Sequence, residues 1–89
     1  MKSYQLDGSA IHSRKEFHQQ IHSLMSFPDY YGNNLDALND VLTDIGEDTC
    51  LTIAQAAALE ENLGHYYLSL LKVLNHVSKE NPHFTYELA

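Results

Sequence analysis

Apolar and acidic residues alternate in the middle of the chain with the period of an α-helix. An apolar stripe recurs every three or four positions, at Leu35, Leu38, Leu42 and Ile45. Carboxylates recur every four positions, at Asp36, Asp40 and Asp44. Because each residue turns the helix by roughly 100°, the acids lie nearly opposite the apolar stripe. We therefore expect the leucines to face a core and the aspartates to face water.

The segment before this central helix contains a strand and a second helix. Lys2–Leu6 alternates in polarity and meets a turn signal at Asp7, which predicts a strand. Ser13 and Glu16 have the spacing of a capping box, which predicts a helix that runs to about Met25. Pro28 then breaks this helix. Asn33 or Asn34 is expected to cap the central helix, and Gly46 to end it.

The rest of the chain continues to alternate between strand and helix. The pattern predicts a strand over Cys50–Ala54 that is buried on both faces, and a final strand over Phe84–Leu88. Between them it predicts two helices. The first covers Gln55–Leu63 and is stopped by Gly64, and the second covers Tyr66–Ser78 and is ended by Asn81-Pro82. Strands separated by helices favour a parallel sheet. We therefore expect a single α/β domain over residues 1–89.

Charge restricts the kinds of partner. The formal net charge is −7, and the bases are Lys2, Arg14, Lys15, Lys72 and Lys79. Residues 16–71 contain none of them, so an acidic surface is expected to repel nucleic acid and anionic membranes and to attract basic proteins. Direct nucleic-acid binding is not expected.

The chain has one cysteine, Cys50, which excludes an internal disulfide and favours a reducing compartment. It has no apolar run of a signal peptide or a membrane span, so a cytoplasmic protein is expected. A monomer is the default expectation. His18 and His22 are four residues apart and could be two metal ligands on one helical face. Since the run between them lacks the acid of the zinc-protease motif, and no third ligand is specified, surface histidines are the favoured interpretation. Neither an enzyme nor a bound cofactor or metal is expected, although a metal-sensing domain stays an alternative.

The turn before the central helix resembles a known signature. The run Pro28-Asp29-Tyr30-Tyr31-Gly32-Asn33-Asn34-Leu35-Asp36-Ala37-Leu38 is similar to that of the barstar family of intracellular ribonuclease inhibitors. The resemblance implies a three-stranded parallel sheet packed by about four helices. It also implies a protein that plugs the active site of a secreted, basic, barnase-like ribonuclease.

By this resemblance, Asp40 would occupy the position of a substrate phosphate in the enzyme, and Asp36 would contact a flanking basic residue. Tyr30 would stack on the catalytic histidine, and Gly32 would let the backbone approach closely. We expect one of Tyr30 and Tyr31 to be buried and the other presented. The complete expected partner-binding set is Tyr30, Tyr31, Gly32, Asn34, Leu35, Asp36, Asn39, Asp40, Asp44, Ile45 and His76.

The chain also departs from the family pattern. The family's prototype has a tryptophan at the position of Asn39 and another near that of Ile45. It also has an acid late in the last helix, where this chain has Asn75-His76. Asp44 replaces a glycine. These differences imply a related partner with a differently shaped rim or weaker inhibition. The alternatives are a binding module for another basic protein or toxin, and an ordinary solvated helix face.

Overall fold

The computed structural model describes all 89 residues, and strands alternate with helices along the chain. The elements are β1 (Lys2–Asp7), α1 (Arg14–Met25), α2 (Leu35–Thr43), β2 (Thr49–Ala54), α3 (Ala56–Leu63), α4 (His65–Glu80) and β3 (Phe84–Leu88), with a short 3₁₀ helix over Gly8–Ala10. Every expected strand and helix is present. No helix combines the length and the apolar character that a bilayer crossing requires.

The three strands form one parallel sheet in the order β1-β2-β3. Leu6 of β1 is in register with Ile53 of β2, and Leu51 of β2 is in register with Tyr86 of β3. The predicted α/β class, with a parallel three-stranded sheet and four α-helices, is confirmed.

The prediction that β2 is buried on both faces is wrong for one face. Leu51 and Ile53 are fully buried, whereas Cys50 and Thr52, which point the other way, are partly exposed. The helices cover only the side of the sheet that Leu51 and Ile53 share. On the other side Cys50 is in register with Ser3 of β1 and Thr85 of β3, both exposed. This open side tolerates water because its neighbouring side chains are small or polar.

The expected cap of α1 forms with one change in its partner. The Ser13 hydroxyl accepts a hydrogen bond from the Glu16 amide at 3.1 Å, as a capping box requires. The Glu16 carboxylate, however, accepts from the amide of His12 at 2.7 Å, one residue further back than the motif predicts. Both ends of the box therefore satisfy amides at the helix start.

The expected end of α2 at Gly46 is wrong, because the helix ends at Thr43. The cause lies far along the chain. The side-chain amide of Asn81, which is 4% exposed, donates to the carbonyls of Leu42 at 3.0 Å, Thr43 at 3.2 Å and Ile45 at 3.0 Å. These bonds satisfy carbonyls that a longer helix would have used internally. Asp44 consequently forms the C-terminal cap.

All helices contribute to one core on the covered side of the sheet. Its fully buried side chains from the helices are Phe17, Ile21, Leu38, Leu42, Leu59, Leu70, Leu74 and Val77. From α2, therefore, Leu38 and Leu42 are buried, while Leu35 and Ile45 are only partly buried at its two ends. This packing fixes which side of α2 faces water.

Candidate partner-binding surface

The solvent side of α2 presents three exposed carboxylates, Asp36, Asp40 and Asp44, which we call the carboxylate row. No nitrogen of a lysine, arginine or histidine lies within 4.0 Å of their oxygens, since the ion pairs of the molecule form elsewhere. Asp36 lies in the first turn, where the helix dipole favours a negative charge, but Asp44 lies at the opposite end, where it does not. The row is therefore an exposed set of charges that the chain itself leaves uncompensated.

The turn before α2 is fixed by its two asparagines. Asn33 adopts the left-handed conformation, with φ of 55°, which asparagine tolerates better than most residues. The Asn34 side chain caps α2 by accepting a hydrogen bond from the Ala37 amide at 2.7 Å, and it donates to the Gly32 carbonyl at 3.1 Å. A Cβ at Gly32 would lie 3.1 Å from the Asn34 side-chain nitrogen. Asn34, and not Asn33, is thus the cap, and Gly32 leaves room for it.

The two tyrosines of the turn point in opposite directions, which confirms the expectation that only one is presented. Tyr30 is 86% exposed, whereas Tyr31 is 5% exposed. The Tyr31 ring packs on Phe27, with ring centres 4.9 Å apart, and on His22, 5.5 Å apart. Tyr31 therefore anchors the turn in the core, and its neighbour projects from it.

Behind this turn lies a hydrogen-bonded group that we call the histidine–tyrosine cluster. It consists of His18 and Tyr31, which are buried, and Tyr66, which is partly buried. The prediction that His18 and His22 are surface residues is wrong for His18, which is 1% exposed, and His22 is partly buried. The Nδ1 of His18 is 2.6 Å from the Tyr31 hydroxyl, and its Nε2 is 2.6 Å from the Tyr66 hydroxyl. These two bonds connect α1 with the turn and with α4.

Burial controls the protonation of the histidine–tyrosine cluster. Desolvation, helped by the charge of Arg14, lowers the pKa of His18 to about 4. Burial raises the pKa of the Tyr31 and Tyr66 hydroxyls above their usual range. All three groups are therefore neutral at pH 7. One tyrosine hydroxyl donates to the bare ring nitrogen of His18, and the other accepts from its N–H.

These bonds bear on the metal alternative, because both ring nitrogens of His18 are already hydrogen-bonded. The Nε2 of His22 lies 3.1 Å from the Phe27 carbonyl oxygen, to which an N–H there donates. The structure contains no group of three or more His, Cys, Asp or Glu side chains that could hold a metal ion. The two histidines thus act as structural links between α1 and the turn.

Two grooves flank the carboxylate row, and each is lined by three of the expected residues. The first, the tyrosine groove, is a cavity of about 290 Å³ with an apolar lining of Tyr4, Met25, Phe27, Tyr30, Val41 and Ile45 and a charged rim of Lys2, Asp44 and Glu47. The second, the arginine groove, is a cavity of about 470 Å³ lined by Arg14, Lys15, His18, Asn33, Asn34, Leu35, Asp36 and Tyr66. One end of the row therefore borders an apolar groove and the other a basic one.

Five expected residues line neither groove: Tyr31 and Gly32 of the turn, and Asn39, Asp40 and His76 of the helices. Asp40 lies one helical turn from Asp36 and from Asp44, so it occupies the ridge between the grooves. Asn39, beside it, is partly buried, and His76 is exposed on α4, the helix that packs against α2. The structure thus brings most of the expected set to one side of α2 and leaves His76 on a neighbouring element.

Sequence reasoning missed the two basic residues of the arginine groove. Arg14 and Lys15 precede the base-free segment of the chain, yet they share this cavity with Asp36. The Arg14 guanidinium lies over the Tyr66 ring, 5.3 Å from its centre, and neither Arg14 nor Lys15 forms an ion pair. The only available signal was the capping box, which placed both bases at the exposed start of α1. It could not show which element would face them.

Comparison with known proteins agrees with this architecture. A family model described as "Barstar (barnase inhibitor)" matches residues 1–88. The chain is also 31% identical over 81 residues to the "Putative ribonuclease inhibitor YrdF" of Bacillus subtilis (strain 168), an overlap of 90% of this chain and 89% of that protein. The match spans the fold, the turn and the carboxylate row together, and the chain belongs to the barstar family.

Proposed function

We propose that this protein inhibits a secreted, basic, barnase-like ribonuclease by inserting the carboxylate row into its active site, inside the cell that makes the enzyme. The observation that supports this most is that Asp36, Asp40 and Asp44 are exposed, unpaired and held on a helix whose other side is locked in the core. Such a helix loses little conformational entropy on binding. No catalytic group takes part, so the protein is a binder and not an enzyme.

The mechanism follows from what a ribonuclease cleft must bind. A cleft that holds phosphates presents arginine, lysine and histidine donors, which also accept a carboxylate. Asp40, on the ridge between the two grooves, would enter deepest, and Asp36 would contact a cation beside it. Tyr30, which shares the tyrosine groove with Asp44, would offer one face of its exposed ring to a histidine of the enzyme.

The same charges would speed association. The carboxylate row and a basic cleft attract each other over distances of about 10 Å at moderate salt, so the association rate should fall as salt is added. The dissociation rate depends on the close contacts and should change less.

The direct test is inhibition of barnase, with the binding of wild-type and variant proteins measured by titration. Asp40→Ala should weaken binding by about 2 kcal/mol or more, which is a loss of about 30-fold, because it leaves the enzyme's cations unpaired. Asp36→Ala should have the next largest effect.

A matched control is Glu87→Ala on the open side of the sheet, which removes the same charge from an exposed residue that forms no ion pair. It should bind as wild type does. If Asp40→Ala and Asp36→Ala both bind like Glu87→Ala, the assignment of the anchor is wrong. Inhibition of a different basic nuclease, with barnase unaffected, would instead favour the alternative of another target on the same scaffold.

A further inference from the structure

The tyrosine groove lies beside the carboxylate row but differs from it in chemistry. About half of its lining is apolar, and the apolar residues include Phe27, Val41 and Ile45. Each of these three is only partly buried, so part of its surface stays in contact with water. At about 290 Å³ the cavity is at or below the size of sites for drug-sized ligands, which are about 300–1,000 Å³. It has the dimensions of a receptor for one long side chain.

The rim of this groove has one unmatched charge. Lys2 and Glu47 neutralise each other, with the ammonium nitrogen 2.8 Å from a carboxylate oxygen. Asp44 is exposed and forms no ion pair. The net charge of the rim is therefore negative and comes from Asp44 alone.

The position of Asp44 on α2 makes that charge costly to the free protein. It is the C-terminal cap, where the negative end of the helix dipole faces it. It also lies four residues after Asp40, a like charge on the same side of the helix. A cation bound beside Asp44 would relieve both effects, and no cationic side chain of the protein itself lies within 4.0 Å of this carboxylate.

The shape and charge together define the occupant. A side chain that fits must have an apolar stem for Val41 and Ile45 and a cationic end for Asp44, which describes arginine and lysine. Tyr30, 86% exposed, forms part of the wall, and the planar guanidinium of arginine stacks on aromatic rings better than an ammonium does. A guanidinium can also donate two hydrogen bonds to one carboxylate.

We infer that the tyrosine groove binds a single arginine side chain of the partner protein, with the stem against Val41 and Ile45 and the guanidinium between Tyr30 and Asp44. This contact lies outside the phosphate-mimicking position at Asp40 and would select among basic partners by the placement of one peripheral arginine. It rests on the proposed function, because the partner is taken to be the ribonuclease that the carboxylate row enters.

The test uses the free protein and a small probe, so it does not require the ribonuclease. The ¹⁵N-labelled chain is titrated with N-acetyl-L-argininamide while backbone amide shifts are followed, and the same titration is repeated with the lysine amide and with the uncharged citrulline amide. Arginine should produce saturable shifts confined to the groove, around Tyr30, Val41 and Ile45. Lysine should bind more weakly, and citrulline should produce no saturable shift.

Asp44→Asn keeps the size of the side chain and should weaken the argininamide affinity about five-fold or more. The matched control Glu87→Gln removes a carboxylate from the open side of the sheet and should leave the affinity unchanged. Shifts spread evenly over the acidic surface, or equal affinities in Asp44→Asn and Glu87→Gln, would overturn the inference.

A second measurement separates this inference from the proposed function. Barnase inhibition is measured on the same wild-type protein. If the wild-type protein does not inhibit barnase but binds argininamide specifically in the groove, the ribonuclease assignment alone is refuted. Inhibition without any Asp44-dependent argininamide binding would refute the arginine site alone.

Discussion

The histidine–tyrosine cluster and the carboxylate row are adjacent, yet the polar groups of the first are paired within the protein and those of the second are not. In the cluster, His18 is 1% exposed and both of its ring nitrogens have a hydroxyl partner at 2.6 Å. In the row, every carboxylate is exposed and none has a cation from its own chain. The first arrangement stabilises the fold, and the second costs stability.

The difference shows that the residues that stabilise this domain are separate from those that it offers to a partner. Buried polar groups are tolerated only when they are fully hydrogen-bonded, and the structure leaves no buried side-chain nitrogen or oxygen without a partner. Exposed carboxylates can stay unpaired because water solvates them. The turn from Tyr30 to Asn34 joins the two regions, with Tyr31 in the cluster and Tyr30 beside the row. Changes to one region should therefore alter stability, and changes to the other should mainly alter binding.

The largest expected effect comes from breaking the cluster. His18→Ala removes a fully buried ring and leaves the two tyrosine hydroxyls without their shared partner, so the free energy of unfolding should fall by about 2–4 kcal/mol. Urea denaturation followed by circular dichroism measures this. The exposed His76→Ala is the control and should lie within about 0.5 kcal/mol of wild type. Equal stability of the two variants would show that the cluster does not support the fold.

The next effect is a loss of stability in acid. The pKa of His18 is about 4 in the folded protein, against 6.5 for an unperturbed histidine, so folding favours the neutral ring. Its contribution is fully present above pH 6.5, shrinks as the pH falls from 6.5 towards 4, and amounts to about 2–3 kcal/mol. Denaturation midpoints between pH 7 and pH 4 measure it.

His18→Gln tests whether that acid sensitivity belongs to the cluster. Glutamine can still hydrogen-bond to a tyrosine hydroxyl but does not titrate, so stability should fall less steeply between pH 6.5 and 4 than in wild type. Parallel curves for the two proteins would assign the acid sensitivity to other groups.

The smallest effect concerns the carboxylate row in the free protein. Asp40 has a like charge four residues away on either side, and each such pair costs about 0.2–0.5 kcal/mol. Asp40→Asn should therefore raise the stability of the free protein by about 0.5–1 kcal/mol while it weakens partner binding. Moderate salt should also raise the melting temperature of wild type, and less so that of the variant. A melting temperature that is unchanged or lower in salt would argue against repulsion along the row.

Much of the fold could be predicted because local patterns determine it. The period of the apolar residues located the helices and strands, and Ser13 and Asn34 cap α1 and α2 through their own neighbours. The separation of Tyr30 from Tyr31 also follows locally, since adjacent residues in a tight turn cannot both face the core. These features depend on residues only a few positions apart.

The features that could not be predicted depend on distant residues. Asn81 ends α2 through carbonyls 36 to 39 positions earlier in the chain. His18 is buried because Tyr66, 48 positions later, reaches its ring. Arg14 and Lys15 meet Asp36 only through the packing of α1 beside the turn. A sequence pattern gives the face of a helix, but not which element will lie against it.

The uncovered side of the sheet has a practical consequence for work on this protein. The chain's single thiol, at Cys50, lies there partly exposed, on the side opposite to the helical layer. A dye, a spin label or a linker to a sensor chip could be joined to that sulfur by alkylation. Every tethered molecule would then be attached through the uncovered side of its sheet, and α2, on the opposite side, would face the solution.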